Sequence, residues 1–201
     1  ACVQFQIPVK TLSLPVISVA QIPKLDLQET DKEVAISGNN FQIVFDKFRG
    51  TIALWKYQNV SLIKQGPKLQ VWRAPTDNDI NVAKEWYDFG LNRLQHRIVE
   101  CKLQKNKAQV VQIEIDSILG AYSIAPGFKV SYLYTIYGSG DVILETKIIP
   151  AKDLPVLPRL GLEFKLEESL KYFSWYGRGP YENYIDRKES SLINIYSGTV
   201  E

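Results

Sequence analysis

Between residues 128 and 148 the side chains alternate with a period of two. Phe128, Val130, Tyr132, Tyr134 and Ile136 fall on one face, Gly138-Ser139-Gly140-Asp141 interrupts, and Val142, Leu144, Thr146 and Ile148 answer on the return. Such a period turns one face of an extended chain toward a core, and a Gly-rich interruption supplies the backbone freedom of a tight turn. The segment predicts an antiparallel hairpin. Shorter versions recur upstream: Val34 and Ile36, then Phe41, Ile43 and Phe45 after Ser37-Gly38-Asn39-Asn40, then Ile52, Leu54 and Lys56 after Arg49-Gly50. Many short period-two runs separated by Gly, Asn, Asp and Pro indicate an all-β sandwich or barrel. One stretch, residues 81–94, has helical spacing through Trp86, Phe89 and Leu94, with Asn81 placed to cap it and Gly90 weakening it.

Composition narrows the function classes. The 201 residues are 45% hydrophobic and 23% charged, enough for one sizeable core and unlike a disordered or coiled-coil chain. The 24 Lys and Arg are interspersed with 22 Asp and Glu, so no basic patch favours nucleic acid. Pro8, Pro15, Pro23 and Pro150 cut the longest apolar candidates well short of the roughly 18–20 residues of a membrane-spanning helix. The first residues carry no charged n-region followed by an apolar h-region, and nothing in the sequence fixes a compartment. There is no Met, and Val3, Phe5 and Ile7 already alternate with Gln4 and Gln6, so the chain reads as opening inside a strand and as a piece of something longer. Residues 11–28, with Pro15 and Pro23 among isolated aliphatics, suit an extended connector.

Most catalytic motifs are missing. Cys2 and Cys101 have no Cys or His at metal-ligand spacing and read as structural thiols; the single His96 reads as a satisfied structural histidine. No paired His, phosphate loop or Gly-x-Ser-x-Gly occurs. Two polar clusters stand out. In Trp72-Arg73-Ala74-Pro75-Thr76-Asp77-Asn78-Asp79, the Thr, Asp and Asn side chains either fold the loop around its own backbone or, with Arg73, form a rim for sugar hydroxyls. Asp77 and Asp79 fail as a glycosidase pair: a retaining pair faces across about 5–5.5 Å with one pKa raised, and an open loop offers no burial to raise it. The second cluster, residues 175–187, holds Trp175, Tyr176, Arg178, Tyr181, Glu182, Asn183, Tyr184, Asp186 and Arg187 around Gly177, Gly179 and Pro180. Its aromatics either stack on a sugar or pack the loop onto the sandwich, with Arg178, Glu182, Asp186 and Arg187 closing an ion-pair network.

These two clusters, in this order and roughly a hundred residues apart, resemble the C-terminal region, the small-chain or domain 5 segment, of the glycoside hydrolase family 2 β-galactosidases. There W-R-A-P-x-D-N-D precedes W-x-G-R-G-P-x-E-N-Y-x-D-R. Weaker agreement extends over residues 41–55 and to Phe5-Gln6-Ile7-Pro8-Val9. The resemblance implies an antiparallel β supersandwich similar to galactose mutarotase, truncated at its C-terminal end. Residues 1–22 would be the last strand of a preceding immunoglobulin-like domain plus a linker, and 23–201 the incomplete supersandwich. In the family this domain packs on a catalytic barrel that holds the two Glu residues of a retaining galactoside hydrolase together with its Mg²⁺ and Na⁺. The resemblance therefore implies no catalytic residue, metal site or cofactor in this chain, and inactivity when isolated. The expected partners are the barrel and other domains of a bacterial parent enzyme, and a galactoside, of lactose type, at the shared pocket. It also places Arg73, Asp77, Asn78, Asp79, Asn81 and Lys84 at the substrate rim, although Asn81 and Lys84 stand where a relative has Gly and Glu. Trp175, Arg178, Tyr181, Glu182, Asn183, Asp186 and Arg187 become a structural or sugar-facing loop. The alternatives are a carbohydrate-binding module and a mutarotase-like sugar epimerase. Unpaired strand edges would let two copies associate as a homo-oligomer.

Overall fold

A computed structural model of the chain describes Gln4 and residues 18–125, 127–181, 183 and 187–200, with the backbone alone at 105 and 106. The chain divides into two compact units, residues 17–166 and residues 1–16 with 167–201.

The larger unit is antiparallel β throughout. Its strands are β1 (Asp26–Glu29), β2 (Glu33–Ser37), β3 (Phe41–Asp46), β4 (Thr51–Tyr57), β5 (Val60–Ser61), β6 (Ile63–Gln70), β7 (Gln95–Lys107), β8 (Val110–Gly120), β9 (Phe128–Tyr137), β10 (Val142–Pro150) and β11 (Gly161–Leu166). They form a five-stranded meander β1-β2-β3-β4-β5, a four-stranded meander β10-β9-β8-β7 and the pair β11-β6. The predicted hairpin is present as β9 and β10, in register from Phe128 opposite Pro150 to Ile136 opposite Val142. Its inward residues meet those of the first sheet. Phe45 and Tyr134 touch edge to face at 4.9 Å between ring centroids, and Ile36, Ile43, Ile113, Ile115 and Ile136 are fully buried with them. At about 1.5–3 kcal/mol for each such side chain removed from water, this shared layer holds the two meanders face to face as a sandwich.

Three sequence expectations are corrected. The irregularity between Val44 and Phe45 shifts the pairing of β3 with β4, so Ile52 sits opposite Phe45 but Trp55, not Leu54, sits opposite Ile43. Trp55 accordingly packs on the core, because a one-residue slip swaps the faces of a strand. The connector expected over 11–28 ends in a strand, since β1 pairs with β2 from Asp26 to Glu29; residues 11–17 lie outside the described residues. The helix, α1 (Ile80–Phe89), starts before Asn81 and stops before Leu94. Gly90 does not weaken its middle but ends it: at φ 73° it adopts the left-handed conformation open to glycine, and its N–H returns to the Trp86 and Tyr87 carbonyls. Among the described residues no helix is long and apolar enough to cross a membrane.

The smaller unit contains the antiparallel pair β12 (Tyr172–Gly179) and β13 (Leu192–Thr199), with Trp175 opposite Tyr196. Gln4 joins it through its side chain: Nε2 donates to the Ile193 carbonyl at 2.7 Å and Oε1 accepts from the Ile193 N–H at 2.6 Å. The strand expected at the start of the chain, like Cys2, otherwise falls outside the described residues.

Candidate functional site

The first polar cluster is built inward. β6 ends at Gln70, Val71 is buried, and the chain then runs extended to Thr76, where a turn of 3₁₀ helix (Asp77–Asp79) leads into α1. Asp79 is only 8% exposed, and every contact around it favours its anion. Arg73 donates to it through Nη1 at 2.5 Å and Nη2 at 3.0 Å, and the Thr76 N–H and hydroxyl donate to Oδ2 at 2.7 and 2.9 Å. Led by the Arg73 hydrogen bonds, these contacts hold the carboxyl far below the usual carboxylate range. Such a group is a fixed anion, unsuited to proton transfer at neutral pH. Arg73 also donates through Nε to the Pro158 carbonyl at 3.1 Å, and its guanidinium lies 5.4 Å from the centroid of the Trp86 ring. The Trp86 indole N–H in turn donates to the Val156 carbonyl at 2.7 Å. Arg73 and Asp79 therefore tie the end of β6, the start of α1 and the 156–158 segment together.

The remaining rim candidates face outward. Asp77, Asn78, Asn81 and Lys84 are exposed, and Lys84 pairs with Asp88 one turn on in the helix. The geometry thus separates the six into an internal ion pair and four solvent-facing side chains in the 3₁₀ turn and the first half of α1.

In the second cluster the polar groups mostly bind backbone. Arg178 Nη1 donates to the Lys188 and Ser191 carbonyls at 2.6 and 2.8 Å, fastening the 187–191 turn to β12. The Arg178 carbonyl accepts from Trp175 Nε1 at 3.1 Å and Asn183 Nδ2 at 3.2 Å; Asn183 Nδ2 also donates to the Tyr181 carbonyl. Trp175 is stacked between Phe173 and Tyr196, at 5.5 and 5.3 Å between centroids. Tyr176 and Tyr181 stand in solvent, and Arg187 is exposed. Glu182 and Asp186, and with them the anionic half of the expected network, lie outside the described residues.

A third feature carries no motif. Lys68, Gln70, Trp72, Asn92, His96 and Glu163 line a cleft of about 300 Å³ beside β6 and β11. Three separate segments supply them, so no spacing in the sequence brings them together. His96 Nε2 donates to the Leu69 carbonyl at 3.2 Å, and burial, followed by the charge of Lys68, pushes its pKa down to about 4. The Cys101 thiol is pushed up, chiefly by burial, which makes it a poor nucleophile at neutral pH.

The family model described as "Beta galactosidase small chain" matches residues 37–201. The chain belongs to that family. The β-galactosidase of Priestia megaterium is 28% identical over 205 residues, which cover 98% of this chain and 19% of that protein. That of Clostridium acetobutylicum is 33% identical over 88% of this chain and 19% of its own length. That of Lactobacillus delbrueckii subsp. bulgaricus is 31% identical, over 88% and 17%. This small-chain sequence therefore spans less than a fifth of these relatives. Both polar clusters fall inside the matched stretch, as do the antiparallel sheets from β3 onward.

Proposed function

We propose that this chain is the small-chain portion of a β-galactosidase, a retaining glycosidase acting on terminal β-D-galactosyl groups such as that of lactose. It packs against the catalytic barrel and shapes the substrate opening, with the galactoside at the shared pocket and the Mg²⁺ and Na⁺ of the parent held by the barrel. The observation that carries this reading is coverage: nearly all of this chain, but less than a fifth of each relative, enters the match. The site chemistry agrees with it. Asp79, the one buried carboxylate of the first cluster, is locked as an anion by Arg73 and Thr76, which suits a brace and not an acid–base pair. Asp77, Asn78, Asn81 and Lys84, exposed at one end of the braced helix, are the side chains that would border the opening.

The test is complementation. The isolated chain is expected to give no turnover of a chromogenic galactoside, and a parent enzyme lacking this segment to recover activity when the chain is added back. Hydrolysis by the chain alone would overturn the reading. A second reading, a carbohydrate-binding module, is favoured by the exposure of Tyr172, Tyr176 and Tyr181 along β12 and the loop after it.

A further inference from the structure

We propose that the cleft beside β6 is a binding site for a neutral, hexopyranose-sized sugar, independent of any hydrolysis. Strand geometry builds it. Lys68 and Gln70 are two apart on β6 and share a face, and the register of β6 with β11 sets Glu163 directly opposite Lys68. The turn after Gly90 adds Asn92, and the second residue of β7 adds His96. At about 300 Å³ the cleft lies at the lower end of the range for small-molecule sites, the size of ligand one sugar ring represents.

The hydrogen-bond inventory defines what fits. Gln70 is held at both ends of its amide, Nε2 donating to Glu163 Oε2 at 2.9 Å and Oε1 accepting from the Trp72 N–H at 3.0 Å, which leaves one N–H and one lone pair for a ligand. His96 uses Nε2–H on the Leu69 carbonyl, and with its pKa near 4 the neutral ring keeps Nδ1 as a lone-pair acceptor. Lys68 and Glu163 face each other across the strands, yet among the described residues they form no ion pair within 4.0 Å. The cleft therefore offers an ammonium donor, a carboxylate acceptor, an imidazole acceptor and the Asn92 amide, which is both. Its formal charge sums to zero. A phosphate or carboxylate ligand would gain Lys68 but face Glu163, and a cation would meet the reverse. Hydroxyl groups, each donor and acceptor at once, match both, and the Trp72 side chain on the wall supplies apolar surface for the C–H face of a ring. Burial lowers the Lys68 pKa as well, consistent with a cleft partly shielded from bulk water.

Because His96 is the only histidine in the sequence, its C2–H proton gives one unambiguous NMR signal inside the cleft. Titration of the chain with D-galactose and with D-glucose is expected to shift that signal saturably for at least one of them, with a Kd of about 1–10 mM. Glu163→Gln and Asn92→Ala should each weaken the binding about tenfold or more, whereas Lys32→Ala, at an exposed position between β1 and β2 that does not line the cleft, should leave it unchanged. Asn92 lies in an exposed turn, so its variant keeps the test alive if Glu163→Gln disturbs β11. The proposal is overturned if the folded chain shows no saturable shift with either sugar, if both cleft variants bind like the wild type, or if inorganic phosphate produces the saturable shift instead. No galactoside is hydrolysed in this experiment, so its outcome is separate from that of the complementation assay.

Discussion

The Arg73–Asp79 corner and the β12–β13 ribbon are both dense in Trp, Arg and Asp or Asn, yet they use those residues in opposite ways. At the corner, charge is buried and answered by charge, and the Trp86 ring beneath it is 2% exposed. On the ribbon, arginine binds backbone carbonyls and the aromatics stack on one another, while Tyr172, Tyr176 and Ile195 remain in solvent. The difference follows from what lies behind each region. The corner sits on a two-layer core that can bury what the loop brings, whereas among the described residues the ribbon is a pair of strands whose aromatic side chains pack on one another. A polar motif rigid by ion pairing thus belongs to the two-layer core, and one rigid by stacking and backbone capture belongs to the β12–β13 pair.

The strongest way to break this contrast is to remove the layer under the corner. Phe45→Ala is expected to cost about 3–5 kcal/mol and to unfold the larger unit in one transition at lower urea. Next comes the ion pair. The Asp79 pKa is depressed on folding, so its contribution is present above the unfolded value of about 4 and fades as pH falls below it. Asp79→Asn should lower the melting temperature by several degrees at pH 7 and flatten the acid limb of the stability profile below about pH 4. A variant as steep as the wild type in that range would show that the pair does not set the acid response. Trp175→Ala tests the other side: losing two stacked contacts of about 0.5–1.5 kcal/mol each should speed amide exchange in β12 and β13 while leaving Ile113 and Ile115 protected. Protection lost equally in both units would erase the contrast. The smallest effect is expected from Tyr134→Phe. The Tyr134 hydroxyl is buried with no hydrogen-bond partner among the described residues, so its removal should be neutral or stabilising by at most about 1 kcal/mol, read from urea midpoints.

The sheets were legible where one residue in two faces the core without interruption, as in β9 and β10. The extent of β7 was not, because irregularities between Ile98 and Glu100 and between Lys105 and Lys107 break the parity on which such a reading depends. Leu54 was placed on the wrong face for the same reason. The helix boundary was missed because Thr76 and Asp79 read equally well as loop residues, and only their mutual hydrogen bonds show that the first turn begins there. Of the site, the clusters themselves were visible as motifs, but the closure of Arg73 onto Asp79, six residues on, was not. The cleft around His96 had no linear signal at all, since register between β6 and β11 and the turn after Gly90 assemble it.

The amide of Gln4 does for Ile193 what a neighbouring strand residue would do, giving one hydrogen bond and taking another. Two positions 189 apart in the polypeptide are thereby stitched as a ladder rung. Such a seam makes the backbone of one strand depend on a single distant side chain, so that Gln4→Ala would leave the Ile193 N–H open to exchange with solvent.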